Sequence, residues 1–308
     1  MELHIDIMGA MMKRSLALVV RGVIFITALA MIACTAVKTD EQTVKVNGVG
    51  EMTDQIRVKY VPPEDPQHQQ IYDLLKERQS LENIKEFLSP FRFQWALDLI
   101  LTGCDGEPDA MYSDDAITIC YEYIEDLQNY MAEEITPSGI KPIDTFIGPF
   151  FDTVLHEFAH ALFDYHGIPV LGREEDAADQ VSALIYLQTS REEARRLIKG
   201  TVYAYMLEVQ DTDPPDMEEY ADEHSTAEQR AINLICLAYG SDPELFADLP
   251  ALGGLPQYRV DICEEEFELI TYAYQHLIGP HIDQELAKKV YAQRWLPEII
   301  VELSGKQY

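Results

Sequence analysis

The chain has 308 residues, of which 47% are hydrophobic, enough to bury the core of one domain of ordinary size. Its formal net charge is −31. Binding to nucleic acid needs a basic face, and anionic lipid surfaces repel acidic proteins, so the charge excludes both as charge-driven partners.

The first 33 residues carry the features of an export signal. Lys13, Arg14 and Arg21 lie before or at the start of an apolar run, residues 22–33, that is too short to span a bilayer comfortably. The run leads into "MIAC", which resembles a bacterial lipoprotein processing box ending at Cys34. We expect export to the cell envelope with a lipid anchor at Cys34. Plain secretory cleavage and an uncleaved anchor are the alternatives.

The next segment, residues 34–56, is polar and contains glycine, which is typical of a tether. Residues 57–308 are predicted to form a single domain. Within it, alternation and turn residues predict strands at 56–63, 95–104 and 109–114, and a strand starting at 116 that continues as a helix to about Glu134. Helices are predicted at 65–78, with Asp65 as cap and Pro66 at the first position, and at 80–90.

A metal-binding pattern stands in the segment "VLHEFAHALFDYH". If residues 151–163 are helical, apolar residues form one stripe and His156 and His160 lie one turn apart on another face. Two imidazole nitrogens at this spacing can converge on one cation. Glu157 lies beside them, where its carboxylate can accept a proton from an attacking water, which is the chemistry of the H-E-x-x-H motif.

Catalytic zinc needs a third protein ligand. His166 occupies the third-histidine position of the longer H-E-x-x-H-x-x-G-x-x-H pattern, but Phe163 replaces the glycine that ends the helix there. On a continuing helix, His166 is rotated roughly 240° away from His160. His166 is therefore the weaker candidate.

The stronger candidate lies on a second predicted helix, "GREEDAADQVSALIYLQ", which has Gly172 at its entrance and acidic residues in its first turn. Glu175 would bind the metal. Asp179, one turn later, would accept the free N–H of His156 or His160 and fix its tautomer. Glu174 is the neighbouring alternative, but Ala178 stands one turn after it and has no polar group to play the part of Asp179.

Four further helices are predicted in the second half by apolar spacing, at residues 192–210, 225–240, 263–278 and 283–296. His224 precedes the second of these and is a candidate catalytic donor to the oxyanion of an attacked carbonyl. Tyr220 and Arg230 are alternatives. Structural salt bridges of His224 and Arg230 with the acidic run "EEYADE" are the competing interpretation.

Apart from Cys34, four cysteines remain, an even number that suits an oxidising compartment. We favour pairing of Cys104 with Cys120 and of Cys236 with Cys263, because each pair closes a modest loop. The C-x-x-C spacing typical of thiolate metal sites is absent.

The segments "HEFAHALFD", "IPVLGREEDAADQ" and "DEHSTAEQRAINLICLAYGSDP" resemble a bacterial family of zinc metallopeptidases of unknown function, over about residues 60–294. The resemblance implies a glutamate-type zinc peptidase with His156, His160 and Glu175 as ligands and Glu157 as base. It also implies a zincin-like, helix-dominated α+β fold with a small early sheet beside the metal helix and a helical C-terminal half.

The sequence thus predicts a zinc-dependent hydrolase that acts on peptide or protein substrates. Two alternatives stay open. The same site could hydrolyse another amide, or the chain could be an exported binding or scaffold lipoprotein with a structural or inactive zinc site. Glu157 favours the enzyme, since a structural site has no use for a base.

Overall fold

The computed structural model describes residues 55–211, 215 and 217–296. The predicted export signal, Cys34 and nearly all of the tether lie outside the described residues. No helix in the described ranges combines the length and the apolar character that crossing a membrane requires. The described part contains a small sheet followed by a long series of helices, so the helix-dominated α+β class expected from the sequence is confirmed.

Four short strands form one sheet near the beginning of the described chain. They are β1 (Ile56–Tyr60), β2 (Leu97–Thr102), β3 (Ala110–Ser113) and β4 (Ala116–Cys120). The order is β1-β2-β4-β3, with β1, β2 and β4 parallel and β3 antiparallel to β4. The β3–β4 hairpin turns through Asp114 and Asp115, both at positive φ (50° and 61°), a conformation that aspartate tolerates better than most residues. The hairpin places β3 at the edge of the sheet.

Helices make up the rest of the described chain. They are α1 (Gln69–Glu77), α2 (Ser80–Leu88), α3 (Tyr121–Asn129), α4 (Pro142–His166), α5 (Glu174–Tyr186), α6 (Arg191–Asp211), α7 (Met217–Ala221), α8 (Ala227–Ser241), α9 (Leu249–Leu252), α10 (Gln257–Val260), α11 (Cys263–Leu277) and α12 (Gln284–Tyr291). A 3₁₀ turn at Pro66–His68 precedes α1, and the Asp65 side chain accepts the Gln67 N–H as its cap. Every helix expected from the sequence is therefore present.

Three predicted helices have clearly different bounds in the structure. Helix α12 ends at Tyr291 rather than at residue 296. Helix α3 ends at Asn129 rather than near Glu134, because the Ala132 N–H is already bound to the Thr145 hydroxyl of α4. The metal-motif helix is longer than residues 151–163: α4 begins with Pro142 at its first turn and runs to His166, with Pro149 inside it. Gly167 ends α4 in the left-handed conformation (φ 57°).

Helix α4 is the centre of the fold and is buried around most of its circumference. It packs on β3 and β4 on one side and on α5 and α6 on others. Phe158, Ala159, Ala161 and Leu162 are fully buried among the core residues. Such a helix can only present polar side chains where the surrounding layers leave a gap, and the H-E-x-x-H residues face such a gap between β3 and α5.

Two glycines let α4 and α6 approach closely. A Cβ at Gly148 would lie 2.6 Å from the Thr201 backbone nitrogen, and a Cβ at Gly200 would overlap the Asp144 carbonyl oxygen. Beside this contact, the Arg196 guanidinium donates to Asp144 Oδ1 from Nη2 (2.7 Å) and Nε (2.9 Å). The glycine contact fixes the distance between α4 and α6.

The structure joins Cys104 to Cys120 and Cys236 to Cys263, the two pairs favoured by the sequence. The first bond links the loop after β2 to the end of β4, directly before α3. The second links α8 to the start of α11. The first bond therefore ties α3, which packs on α4, to the sheet, and the second ties α8, which packs on α5 and α6, to α11.

We predict that Gly200→Ala destabilises the protein. In an ordinary helix interior the substitution stabilises by up to about 1 kcal/mol, but here the new methyl group overlaps the α4 backbone, and we expect a loss of more than about 2 kcal/mol. Urea unfolding measures the difference. Gly103→Ala is the control, since a Cβ there meets its nearest atom at 3.7 Å. A neutral or stabilising Gly200→Ala would contradict the close packing of α4 and α6.

Candidate metal centre

The two motif histidines and Glu175 converge at one point between α4 and α5. His156 Nε2 lies 3.2 Å from His160 Nε2, and Glu175 Oε2 lies 2.9 Å from the former and 3.3 Å from the latter. For metal–nitrogen bonds of about 2.0–2.1 Å, neighbouring ligands in a tetrahedral site are separated by roughly 3.3 Å. The three donor atoms therefore fit three corners of a tetrahedral zinc site.

The outer ring nitrogens of both histidines are held by carboxylates. Asp179 Oδ1 lies 2.8 Å from His156 Nδ1, and Glu174 Oε1 lies 2.9 Å from His160 Nδ1. Carboxylates can only accept, so each Nδ1 donates its proton outward, and a neutral ring then presents its Nε2 lone pair to the cluster. Two such lone pairs 3.2 Å apart, beside the Glu175 carboxylate, repel each other unless a cation lies between them, either a proton on a ring nitrogen or a metal ion. This donor set therefore has the chemistry of a metal site.

The pKa values of His156 and Glu175 reflect these contacts. Burial lowers the pKa of His156, but the hydrogen bonds to Asp179 and Glu175 outweigh it and raise the pKa to about 9. The hydrogen bond to His156, with the nearby His160 and His224, lowers the pKa of Glu175 to about 2 despite partial burial. Glu175 is thus a carboxylate at every physiological pH, as a metal ligand must be.

Behind Asp179 lies a buried polar network. Arg230 of α8 donates to Asp179 from Nε (2.9 Å) and Nη2 (2.7 Å), and its guanidinium stacks on the Tyr205 ring at 4.8 Å. Tyr205 in turn donates to Asp152 Oδ2 at 2.8 Å. His156 is only 4% exposed, so its orientation is set by this chain of contacts from α8 through α5 to α4.

Glu157 lies in the same cavity without joining the donor cluster. Its Oε2 accepts the backbone N–H of Tyr112 on edge strand β3 at 2.7 Å, while Oε1 has no hydrogen-bond partner within the described ranges. Burial raises the pKa of Glu157, against the opposing pull of His156 and His160. The carboxyl group is therefore fixed by one oxygen and made more basic than an exposed glutamate, as a general base requires.

The structure places the three remaining candidates, His224, Arg230 and Tyr220, in different surroundings. His224 lies in the bend before α8, and its Nε2 is 2.9 Å from Glu175 Oε2, so His224 reaches the site. Its Nδ1 also lies 3.4 Å from Asp222, one of the acidic residues expected to pair with it. Arg230 pairs with Asp179 rather than with that acidic run. Tyr220 is half exposed and does not line the cavity.

His166 is not brought to the metal cluster. Because α4 continues through it, its ring is directed elsewhere and stacks on His281 (centroids 3.6 Å apart) and Phe93. Glu174 is close to the cluster, but as the partner of His160 Nδ1. The sequence interpretation missed this role of Glu174 because it looked for an acid one turn further along α5. It also missed the hydrogen bond from the Tyr112 N–H to Glu157, because a sequence motif does not show which backbone N–H groups donate.

A cavity of about 770 Å³ opens over the cluster. Its walls include Ala110–Tyr112 of β3, the motif residues of α4 and His224. One other group of metal-type side chains occurs in the described part of the chain, formed by Cys104, Cys120 and Glu122. Its cysteines are joined in a disulfide and Glu122 accepts backbone N–H groups of Cys104 and Gly106, so its donors are already used.

The chain matches the model of a family of domains of unknown function described as "Putative metallopeptidase" over residues 60–278, more than half of its length. The chain therefore belongs to this family, and the resemblance expected over residues 60–294 is confirmed for most of that range. No curated protein and no solved structure matches it. Family membership and the His-His-Glu cluster together indicate a metal-dependent peptidase.

We predict that Glu175→Ala abolishes stoichiometric zinc binding, because it removes one of three donors. Glu174→Ala is the matched control on the neighbouring residue: it removes only the outer hydrogen bond to His160 and should weaken zinc binding roughly 10–100-fold. Zinc content by elemental analysis and affinity by competition with a chelator distinguish the two. Full zinc content in Glu175→Ala would place the third ligand elsewhere.

The raised pKa of His156 gives a pH dependence for the metal-free protein. Since the folded pKa is about 9 and the unfolded value about 6.5, its stabilising contribution is complete below pH 6.5 and is lost as the pH rises through 9. In the presence of a chelator, the unfolding free energy of wild type relative to His156→Asn should fall on the order of 2–3 kcal/mol over this interval. Added zinc should reverse the trend, because it binds the deprotonated ring. A flat difference without metal would contradict the assigned contacts.

Proposed function

We propose that the protein is a zinc-dependent peptidase in which His156, His160 and Glu175 hold the metal and Glu157 is the general base. The observation that carries the proposal is the position of Glu157. It lies in the cavity wall beside the three donors, is anchored by Tyr112 and is raised in pKa, yet is not part of the donor cluster. A purely structural metal site needs no such group, which argues against the scaffold alternative.

When bound, zinc would act as a Lewis acid that polarises the substrate carbonyl and acidifies the attacking water. The protein supplies the rest. Glu157 Oε1 accepts the proton of the water and delivers it to the leaving amine. Asp179 and Glu174 hold the tautomers of the two histidines throughout. His224, whose Nε2 lies 2.9 Å from Glu175 Oε2, is proposed to donate to the oxyanion that forms from the carbonyl.

Edge strand β3 supports a peptide as the substrate rather than another amide. Ala110, Met111 and Tyr112 line the cavity, and no described strand pairs with the outer side of β3. An extended peptide can bind such an edge by donating its backbone N–H groups to the outer carbonyl groups of β3, because the Ala110 and Tyr112 N–H groups are already bonded to Asp109 and Glu157. A small amide has no use for this edge.

We also propose that the protein is exported and held at the cell envelope by lipid on Cys34. The two disulfides support an oxidising compartment. Peptides or proteins of that compartment are then the substrates.

We predict that Glu157→Gln lowers the rate of peptide hydrolysis roughly 10²–10⁴-fold while zinc content stays unchanged, because the amide keeps the shape but cannot accept a proton. The assay is hydrolysis of an unfolded protein by zinc-loaded enzyme, followed by mass spectrometry. Glu192→Gln, the same change on the exposed side of α6, is the control and should leave the rate unchanged. Zinc-loaded wild type without hydrolytic activity, or an active Glu157→Gln, would refute the proposal.

A further inference from the structure

A second cavity of about 440 Å³ lies between three helices next to the metal centre. We call it the three-helix pocket. Its α3 wall is a helical stripe of Tyr123, Asp126, Leu127 and Tyr130. Its α6 wall includes Thr201, Tyr205 and Glu208, and its α4 wall includes Thr145, Pro149, Asp152 and Thr153. The volume is within the range of small-ligand pockets, roughly 300–1,000 Å³.

The three-helix pocket adjoins the catalytic cavity. Tyr123, Thr153 and Arg230 line both. Thr153 precedes Glu157 by one turn of α4, about 6 Å along the helix, and both side chains leave the same face. The Tyr123 hydroxyl donates to Thr153 Oγ1 at 2.7 Å and so fixes the shared wall. A long side chain next to the bond hydrolysed beside Glu157 is therefore close to the pocket.

The walls combine aromatic rings with negative charge. Tyr123, Tyr130, Tyr203 and Tyr205 line the pocket together with Asp126, Glu208 and Asp152. Arg230 is the one cation on these walls, and Asp179 neutralises it through two hydrogen bonds. Rings and carboxylates around one space are the features that bind organic cations.

Asp126 is the main charge available to a ligand. Its carboxylate makes no hydrogen bond or ion pair with any residue that the structure describes. Burial, and then the neighbouring Glu125, raise its pKa, which means that the site lacks a compensating positive charge. Burial also raises the pKa of Glu208 on the facing wall. Arg230 already acts against that rise at Glu208, so a cation in the pocket would chiefly offset the burial of Asp126.

We propose that the three-helix pocket is the specificity subsite of the peptidase and binds the arginine or lysine side chain of a substrate residue beside the cleaved bond. This inference rests on the proposed function only in calling the bound molecule a substrate; the pocket itself does not depend on that function. The aliphatic stem lies against the tyrosine rings and the charged end lies near Asp126 and Glu208. A neutral side chain of the same length makes only the contact with the tyrosine rings.

Two measurements test the subsite. In the first, zinc-loaded wild type, Asp126→Asn and Glu125→Gln digest an unfolded protein, and mass spectrometry identifies the residues beside the cleaved bonds. Wild type should prefer arginine and lysine at one position. In Asp126→Asn, the preference for arginine and lysine over leucine and methionine should fall roughly fivefold to tenfold. Glu125→Gln, an equal charge loss one residue away that does not line the three-helix pocket, should retain it.

The second measurement is independent of catalysis. Titration calorimetry on the Glu157→Gln variant compares two short peptides that differ only in arginine or citrulline, which has nearly the same shape without the charge. The arginine peptide should bind roughly fivefold to tenfold more tightly, and Asp126→Asn in the same background should remove the difference.

The outcomes separate the two proposals. Hydrolysis without preference for basic residues, or with a preference that Asp126→Asn leaves intact, refutes the subsite while the peptidase stands. Preferential binding of the arginine peptide that depends on Asp126, without hydrolysis by any zinc-loaded form, supports the pocket and refutes the peptidase. The absence of both hydrolysis and a difference in binding would refute both proposals.

Discussion

The hydrogen bond between His156 and Asp179 is the contact on which the rest of the site depends. It connects two buried helices, α4 and α5, and Arg230 extends it to a third, α8. A buried carboxylate is unfavourable unless it is paired, and Asp179 is paired on both sides. As a result, helix packing and side-chain orientation at the cluster are coupled: the packing of α4, α5 and α8 directs His156 Nε2 toward His160 and Glu175.

Much of the arrangement at this centre could be predicted from the sequence, because it depends on residues that lie close together along the chain. The spacing of His156 and His160, the Glu175–Asp179 pair and the apolar face of α4 all follow from the helical period. The rejection of His166 also followed, since Phe163 lets the helix continue. What the sequence could not supply are contacts between elements far apart in the chain. Tyr112 binds Glu157 across 45 residues and Arg230 binds Asp179 across 51 residues. Nothing in either local segment specifies its partner.

The early sheet and the helical half have different tasks around this centre. The sheet contributes an edge, β3, that borders the catalytic cavity and holds Glu157. The helices contribute the ligands, their outer hydrogen bonds and the adjoining three-helix pocket. Helix α3 stands between the two parts, because it continues directly from β4 and the Cys104–Cys120 bond secures the residue before it to the loop after β2. The end of α3 differed from the prediction where the tertiary bond from Ala132 to Thr145 overrides local helical preference.

The glycine contact between α4 and α6 has a consequence for how relatives of this protein can diverge. Gly200 directly precedes Thr201, which lines the three-helix pocket, and Gly148 directly precedes Pro149, which lines it from the facing helix. The width of the pocket is therefore coupled to the size of two residues that never touch a ligand. A larger side chain at either position, if accommodated by a shift of α6, would widen the pocket while the metal ligands on α4 and α5 keep their spacing. In the peptidase and subsite proposed above, such a change would alter substrate choice without altering the chemistry.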